Sequence, residues 1–260
     1  MTRGRCSAQR GLALVSVLWG VAILSLIAAA MLSGAVTTAH IDRNVWNAIR
    51  AGAASDAAVS RAVLMLMDER KQPRADGTPA TVTLDGIAVR LRIQDESGKI
   101  NLNFSSMEFL QRLFVSAGIE PHQAQALAER ICARRTASKP GGTSIAFRNI
   151  DELLSVPGIT PALYARVAPA LTTFGRDGSV NDAVAVPQVL AAIPGMDARA
   201  VADHLRSRDS APPVAGPLGR PGSIFTVTAD AQVRGARVTR TAVVQFTGDQ
   251  TRPFWFLNWK

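Results

Sequence analysis

The 260-residue chain carries 29 basic and 20 acidic residues, so its formal net charge is +9 and nucleic-acid binding has to be weighed among its functions. It has two cysteines, Cys6 and Cys132, and Cys6 lies in a short basic leader, so that loss of the leader excludes an intrachain disulfide. The three histidines are isolated and have no metal-ligand spacing: His40, His122 and His204.

The first predicted element is a charge-free run of 25 residues, Leu12 to Val36. At roughly 1.5 Å per residue, a helix of this length spans about 37 Å and exceeds the ~30 Å hydrocarbon core of a bilayer. Three arginines precede the run without an acidic residue: Arg3, Arg5 and Arg10. Because basic flanks stay in the cytoplasm, the run predicts a single membrane span with a cytoplasmic N-terminus and an exported main body.

The helical pattern continues beyond this span. Ile41, Val45 and Ile49 recur at helical spacing among polar residues, and no proline occurs between the start of the run and Pro73. We therefore expect one helix to about Arg70, roughly 90 Å long, which has to pack on another element.

An ordinary cleaved secretory signal is the alternative for the N-terminal segment. The small residues Ala28, Ala29 and Ala30 offer a cleavage site for it, which would leave a mature terminus near Met31. This alternative does not explain the basic–glycine junction that precedes the apolar run.

Two strand-like segments follow, Ala80 to Leu84 and Ile87 to Ile93, joined by the hairpin turn signal Asp85-Gly86. They lead into a polar stretch, Asp95 to Asn103, which reads Asp-Glu-Ser-Gly-Lys-Ile-Asn-Leu-Asn. The simplest interpretation of this stretch is a loop whose polar side chains make local hydrogen bonds to the backbone.

The segment from Ser105 to Arg208 is predicted to be helical and contains a weak internal repeat. In three units an apolar residue or pair precedes a tight turn at a glycine, at Gly118, Gly158 and Gly195. Each unit is typical of a helix, a tight turn and a second helix. Such units resemble helix-hairpin-helix motifs, which in other proteins bind DNA phosphates through the backbone amides of the turn.

The middle unit has the clearest helix start. Asn149 is the predicted N-cap, with Glu152 as the reciprocal partner three residues later. Five apolar or aromatic side chains are predicted to be core residues: Leu153, Leu154, Tyr164, Val167 and Leu171.

After a linker rich in proline and glycine, Ala211 to Gly222, two alternating segments predict a second hairpin: Ser223 to Val233 and Ala236 to Phe246. Strands on both sides of a helical block predict an α+β fold. In this fold the long transmembrane helix packs on a small antiparallel sheet, and a large all-α domain with helix-hairpin-helix-like units is inserted into the sheet. The aromatic tail packs on the sheet or, through Trp255 and Trp259, contacts a partner.

The leader and its junction resemble a known family. A short basic leader that ends in Gly11 and runs directly into a hydrophobic helix at Leu12 is similar to the class III signal of type IV pilins and type II secretion pseudopilins. The resemblance implies that prepilin peptidase cleaves between these two residues and that the new Leu12 terminus is N-methylated.

The fifth residue after the predicted cleavage site narrows the resemblance to one type of pseudopilin. Most pseudopilins have glutamate there, whereas this chain has Ser16, which resembles the K-type minor pseudopilins (general secretion pathway protein K). In major subunits the carboxylate is thought to pair with a neighbouring terminal amine in the membrane, so its loss implies a subunit at the filament tip. The stretch Asp95 to Asn103 is also similar to the D-E-x-x-K-I-N-x-N stretch of the K-type. The chain departs from the family in being short and in residues 180–187, where many members read close to I-N-x-N-T-A-P.

The resemblance covers nearly the whole chain and implies five parts. These are a leader (1–11), a transmembrane segment (12–36), the distal helix with the first strands (37–103), the inserted helical domain (104–210), and the remaining strands with the aromatic tail (211–260). It further implies a non-enzymatic subunit of a Gram-negative type II secretion system, with its main domain in the periplasm. Its partners would be the I-type and J-type minor pseudopilins, the major pseudopilin, prepilin peptidase and the inner-membrane secretion platform, in a tip complex that initiates or caps the pseudopilus.

Two alternatives remain open, a membrane-anchored DNA-binding protein of a DNA-uptake system and a generic exported adaptor. Loss of the leader removes three positive charges and leaves +6, and no basic residue follows the middle turn before Arg166, which argues against phosphate binding at the turns. The residues predict no cofactor and no acid–base pair. The family resemblance allows calcium in the helical domain, but no carboxylate-rich loop identifies a site.

Overall fold

The computed structural model describes residues 9–68, 70, 73–136, 146–210 and 218–260. Its first helix, α1, runs without interruption over Gln9–Met67. At about 1.5 Å per residue these 59 residues extend roughly 90 Å. The prediction of one helix that continues past the apolar run is confirmed, whereas the first eight residues of the predicted leader lie outside the described part of the chain.

The remaining helices lie between the second and the fifth strand. They are α2 (Met107–Ser116), α3 (Pro121–Thr136), α4 (Pro161–Val167), α5 (Pro187–Leu190) and α6 (Ala198–Ser210). Short 3-10 turns occupy Glu96–Gly98, Ile150–Ser155, Ala168–Ala170 and Asp182–Val184. The strands are β1 (Ala80–Leu84), β2 (Ile87–Asp95), β3 (Ile100–Asn101), β4 (Leu171–Thr172), β5 (Ile224–Val233), β6 (Ala236–Phe246) and β7 (Phe254–Trp259).

Five strands form one antiparallel sheet in the order β1-β2-β5-β6-β7, and β3 pairs with β4 in a separate parallel pair. Both predicted hairpins are confirmed. Asp85 and Gly86 have φ of 48° and 73°, and Arg234 and Gly235 have φ of 44° and 93°. Left-handed backbone at both central residues matches the twist of the flanking strands, which is why such two-residue turns connect hairpins.

The distal part of α1 packs on one face of the sheet, mainly against β5 and β6. The helix contributes mainly small side chains, Ala51, Ala54, Ala58 and Ala62, and three alanines of the sheet lie in the same core: Ala229, Ala231 and Ala242. Larger buried side chains close one end of this core, where Phe225 and Phe246 meet edge to face with centroids 5.8 Å apart. Leu66 is fully buried in the same core.

The helices between β2 and β5 have an apolar core of their own, separate from the core under the sheet. All three predicted turn glycines have positive φ, 85° at Gly118, 94° at Gly158 and 81° at Gly195. A 3-10 turn, Ile150–Ser155, takes the place of the expected first helix in the middle unit. The long helix on a small antiparallel sheet and the helical block inserted in the chain confirm the predicted α+β fold.

Two details of the middle unit differ from the sequence predictions. Asn149 accepts from the Glu152 amide as predicted, but the Glu152 carboxylate accepts from the Arg148 amide instead of the Asn149 amide. Leu154 is not a core residue, because 44% of it is exposed on the outer side of the 3-10 turn.

The half-buried Tyr164 donates its hydroxyl to Asp151, and burial together with this hydrogen bond raises the pKa of Tyr164 to about 12.

The aromatic tail forms strand β7 and does not pack on the sheet as a separate layer. It pairs antiparallel with β6, and the register shifts between Val243 and Val244, opposite Asn258 and Phe256. Leu257 is therefore the extra residue of a β-bulge.

Candidate functional site

Within the described part of the chain, one helical segment is long and apolar enough to cross a membrane, and this segment is the proximal part of α1. Its window is Leu14–Met31, and none of it is buried against the rest of the described chain. Ser16 is exposed within this window. The predicted processing residues Gly11 and Leu12 lie in the first turns of the same helix, but their side chains are outside the description. These residues therefore remain predictions.

A second apolar surface lies on α1 between this window and the core under the sheet. Ile41, Val45, Trp46 and Ile49 are each more than half exposed. Their spacing places them on one face of the helix, since residues four and eight apart follow each other along a helical stripe. Sequence periodicity identified three of these positions and missed Trp46, the largest of them.

The hairpin turns use several of their own amides internally. In the first unit Gly118 donates to the carbonyl of Val115 over 2.9 Å, and Ile119 donates to that of Phe114 over 3.0 Å. In the second, Ile159 donates to the carbonyl of Val156 over 3.1 Å. Amides engaged in this way are not directed at an external phosphate, which argues against a phosphate clamp at these turns.

The charge around the turns differs from the sequence prediction. Arg130 donates to the carbonyl of Pro157 over 2.9 Å, beside the turn at Gly158. Arg166 lies beside the turn at Gly118, with its Nη1 atom 3.7 Å from the position a Cβ would take there. The expectation that the turns lack basic neighbours is wrong for these two, because each arginine comes from a different unit of the block.

The stretch Asp95 to Asn103 connects the sheet to the helical block. The local hydrogen bonds expected from the sequence are present: Asp95 accepts from the Ser97 amide over 2.8 Å, and Asn101 accepts from the Asn103 amide over 2.9 Å. Burial raises the pKa of Asp95 above its ordinary value, and the nearby Glu96 charge acts in the same direction against the hydrogen bonds from Ser97.

The same stretch also makes tertiary contacts that its sequence did not reveal. Asn103 exchanges two hydrogen bonds with the backbone of Phe147, at 2.9 and 2.8 Å. Glu96 is buried, pairs with Lys99 at 2.6 Å and accepts from Thr226 of β5. At Gly98 a Cβ would lie 2.4 Å from the carbonyl oxygen of Val184, so a glycine is required for the block to approach. The motif is therefore a joint between two parts of the fold.

Charged residues strengthen this joint at its other side. Asp76, before β1, lies 2.8 Å from Arg74 and 3.3 Å from Arg208 of α6, and Arg74 also contacts Asp209 at 2.6 Å. Burial alone would raise the pKa of Asp76, but hydrogen bonds from Thr78 and Arg74, together with the positive charge of Arg208, hold it below its ordinary value. The carboxylate is thus kept ionised where α6 meets the sheet.

A cleft of about 410 Å³ lies at the joint, lined by polar residues that include Asp95, Lys99, Arg176 and Asp177. In the described part of the chain no three Asp, Glu, His or Cys side chains converge to hold a metal ion. Calcium binding in the helical domain, which the family resemblance allows, stays a prediction without an assigned site.

The two predicted contact residues of the tail lie on β7, the last strand of the sheet in the described chain. Trp255 is 50% exposed and Trp259 42% exposed. On the face that carries Phe246, rings meet edge to face in a row from Phe254 through Phe256 to Trp259. These rings extend from the core under the sheet to its edge, where they form a contiguous exposed aromatic surface.

Comparisons with known proteins give a likeness in structure but none in sequence. No protein-family model matches the sequence, and no curated protein matches it. The fold is similar to a chain in the crystal structure of the GspK-GspI-GspJ complex from the type 2 secretion system of enterotoxigenic Escherichia coli. The identity is 14%, the match covers 86% of this chain and 97% of that chain, and the TM-score is 0.48. Because a TM-score below 0.5 does not establish a common fold, the function has to be argued from the residues of this chain.

Proposed function

We propose that this chain is a pseudopilin-like subunit of a type II secretion system, anchored in the inner membrane by α1 with its folded part in the periplasm. Within that class it acts as the K-type minor pseudopilin, which joins the I-type and J-type subunits in a tip complex that initiates or caps the pseudopilus. It works by assembly and not by catalysis.

Helix α1 is the observation that carries this proposal. One continuous helix is exposed and apolar over residues 14–31, and it packs its alanine face on the sheet from Ala51 onward. A soluble protein would not leave an apolar stretch of this length uncovered, because its transfer to water is unfavourable. A membrane and neighbouring helices supply the missing cover, as they do in a filament built around a helical core.

The position at the tip is supported by Ser16 and by the helical block. A serine cannot neutralise the terminal amine of a neighbouring subunit in hydrocarbon, as a carboxylate would. The block from 104 to 210 is large compared with the five-stranded sheet and contacts it through Gly98, Asn103 and the charged residues around Asp76. Bulk at this place suits a subunit with no neighbour stacked above it.

The experiment that tests the proposal is intact-mass analysis of the chain produced together with prepilin peptidase. We expect loss of residues 1–11 and a mature protein that begins with N-methylated Leu12. Gly11→Val should remain uncleaved and unmethylated, because a branched side chain replaces glycine at the cleaved bond. Gly4→Val makes the same change inside the leader and should be processed like the natural chain. A terminus near Met31 would instead identify an ordinary secretory signal and refute the proposal.

DNA binding by the hairpin units remains the second candidate, and the positions of Arg130 and Arg166 favour it. We nevertheless expect no tight complex with duplex DNA at about 150 mM salt, because the amides of Gly118, Ile119 and Ile159 in these turns are already bonded within the chain. Thr160→Asp is the matched test, since Thr160 caps α4 through the Leu163 amide and aspartate is an equally good cap. Submicromolar binding that this substitution abolishes would favour the DNA-binding function.

A further inference from the structure

The face of the sheet turned away from α1 carries a cluster of arginines. On β2, the exposed residues Arg90 and Arg92 alternate with Val89, Leu91 and Ile93, which are buried under α1. Since successive side chains of a strand point to opposite faces, both arginines lie on the outer face.

One acidic residue accompanies these arginines. Asp230 of β5 lies directly opposite Arg90 in the register, on the same outer face. It is engaged by Arg237 of β6, whose Nε atom lies 2.9 and 3.0 Å from the two carboxylate oxygens. The pKa of Asp230 lies below its ordinary value, mainly because Arg237 donates hydrogen bonds to the carboxylate. The positive charges of Arg90 and Arg92 lower it further.

Three arginines around one carboxylate leave two positive charges uncompensated. Among the described residues no ion pair involves Arg90 or Arg92, whereas Arg237 is already paired. Like charges on one face of a sheet repel each other, so the cluster carries a cost that an isolated subunit does not recover.

The cluster also has a concave shape. A groove of about 280 Å³ runs between β1, β2, β5 and β6, lined by Thr81, Ala88, Arg90, Asp230, Gln232 and Arg237. An arginine side chain at the rim of a groove can bind a carboxylate through two parallel N–H···O bonds. The guanidinium group of Arg90 at the rim of this groove, with Arg92 two residues further along the same strand, therefore fits inserted Asp or Glu side chains.

We propose that this outer sheet face, centred on Arg90 and Arg92, docks an acidic segment of a protein partner. The proposal rests on the proposed function in one respect, that assembly at the membrane supplies a neighbouring subunit. The binding itself depends on neither processing nor membrane insertion.

The position of the groove disfavours lipid headgroups. Val238 and Arg240, at the start of β6, lie against Gly52 of α1, 16 residues beyond Val36 at the end of the predicted span. Along a helix this corresponds to about 24 Å, about three times the Debye length of about 8 Å at physiological salt. Nucleic acid is disfavoured as well, since a backbone-tracking groove uses a longer row of positive charges with stacked aromatic rings.

The test uses the full chain in detergent micelles and a fluorescein-labelled peptide of alternating glutamate and glycine. A peptide with glutamine in place of glutamate is the probe control. We expect the acidic peptide to bind at least about tenfold more tightly in fluorescence anisotropy at roughly 150 mM salt. Arg90→Gln combined with Arg92→Gln should weaken binding about tenfold or more.

The matched protein control is Arg199→Gln combined with Arg220→Gln, which removes two exposed charges elsewhere on the molecule. This control should change the affinity by less than about twofold. Equal losses in both double variants, or equal binding of both peptides, would show non-specific attraction and overturn the proposal. Tighter binding of anionic vesicles or duplex DNA that depends on Arg90 and Arg92 would overturn it as well. A single Arg90→Gln change, at the arginine that lines the groove, should weaken binding of the acidic peptide even if the double variant proves unstable, and no effect would count against the groove.

Discussion

The two parts of helix α1 have opposite relations to the rest of the molecule. From Ala51 to Leu66 one face consists largely of small residues and is buried against the sheet, whereas the large apolar side chains described within 14–31 and 41–49 are exposed. The distal part is thus stabilised within the chain, whereas the proximal part carries apolar surface that the described chain leaves uncovered. One uninterrupted helix connects a folded domain to an environment that the domain does not provide.

The largest effect should come from removing a buried side chain of the distal part. Leu66 is fully buried and Leu64, two residues earlier, is 64% exposed. Leu66→Ala should lower the free energy of unfolding by about 2–5 kcal/mol, because the substitution leaves a cavity under the sheet. Leu64→Ala should lower it by less than about 0.5 kcal/mol. Denaturant unfolding of the two variants measures this contrast, and similar losses would contradict the burial described for this face.

A smaller effect is expected where the helix contacts the sheet through charge. Arg240 donates to Asp56 of α1 over 2.9 Å, and both side chains are more than one third exposed. Arg240→Met keeps most of the apolar stem and should cost about 0.2–1 kcal/mol, since water screens such pairs. The cost should disappear at high salt. If it persists in about 1 M salt, the arginine acts through packing and not through its charge.

The smallest effect on stability should occur at the proximal stripe. Trp46 is 65% exposed, so Trp46→Ala should change the free energy of unfolding by less than about 0.5 kcal/mol. The same change should weaken association with other membrane-anchored subunits, measured by crosslinking in membranes. Asn47→Ala, at the neighbouring position off the stripe, is the control for helix propensity. A large loss of stability in Trp46→Ala would mean that the stripe packs within the chain.

The sequence predicted those parts of the fold that depend on local signals. Both hairpins follow from alternating side chains around the two-residue turns at Asp85 and Arg234, and the turn at Gly118 follows from a glycine that the backbone requires. The sequence of β7 shows no alternation of apolar and polar residues, because the strand lies at the edge of the sheet and is largely exposed on both faces. Pairing with β6 alone makes it a strand.

The sites that depend on tertiary contacts could not be predicted in the same way. Arg130 reaches the turn at Gly158 from α3, 28 residues earlier, and no local pattern encodes that proximity. The polar stretch from Asp95 was predicted as a loop with local hydrogen bonds, which is confirmed, but its bonds to Phe147 and Thr226 depend on the packed block. The predicted processing and contact residues stay predictions, since they concern events between molecules.

The pairing of β2 with β5 also determines the order in which the parts of the molecule can fold. Val89 lies opposite Ala231, so the centre of the sheet joins residues separated by more than half of the chain. During synthesis from the N-terminus, the alanine face of α1 has only the β1–β2 hairpin to cover it until residues 224–246 arrive. Contacts between such distant residues form slowly, but the intervening block has its own core and can bring the two hairpins together. The inserted helices thus shorten the search that the sheet would otherwise need, and the alanine face of α1 depends on protection from other molecules until the last strands arrive.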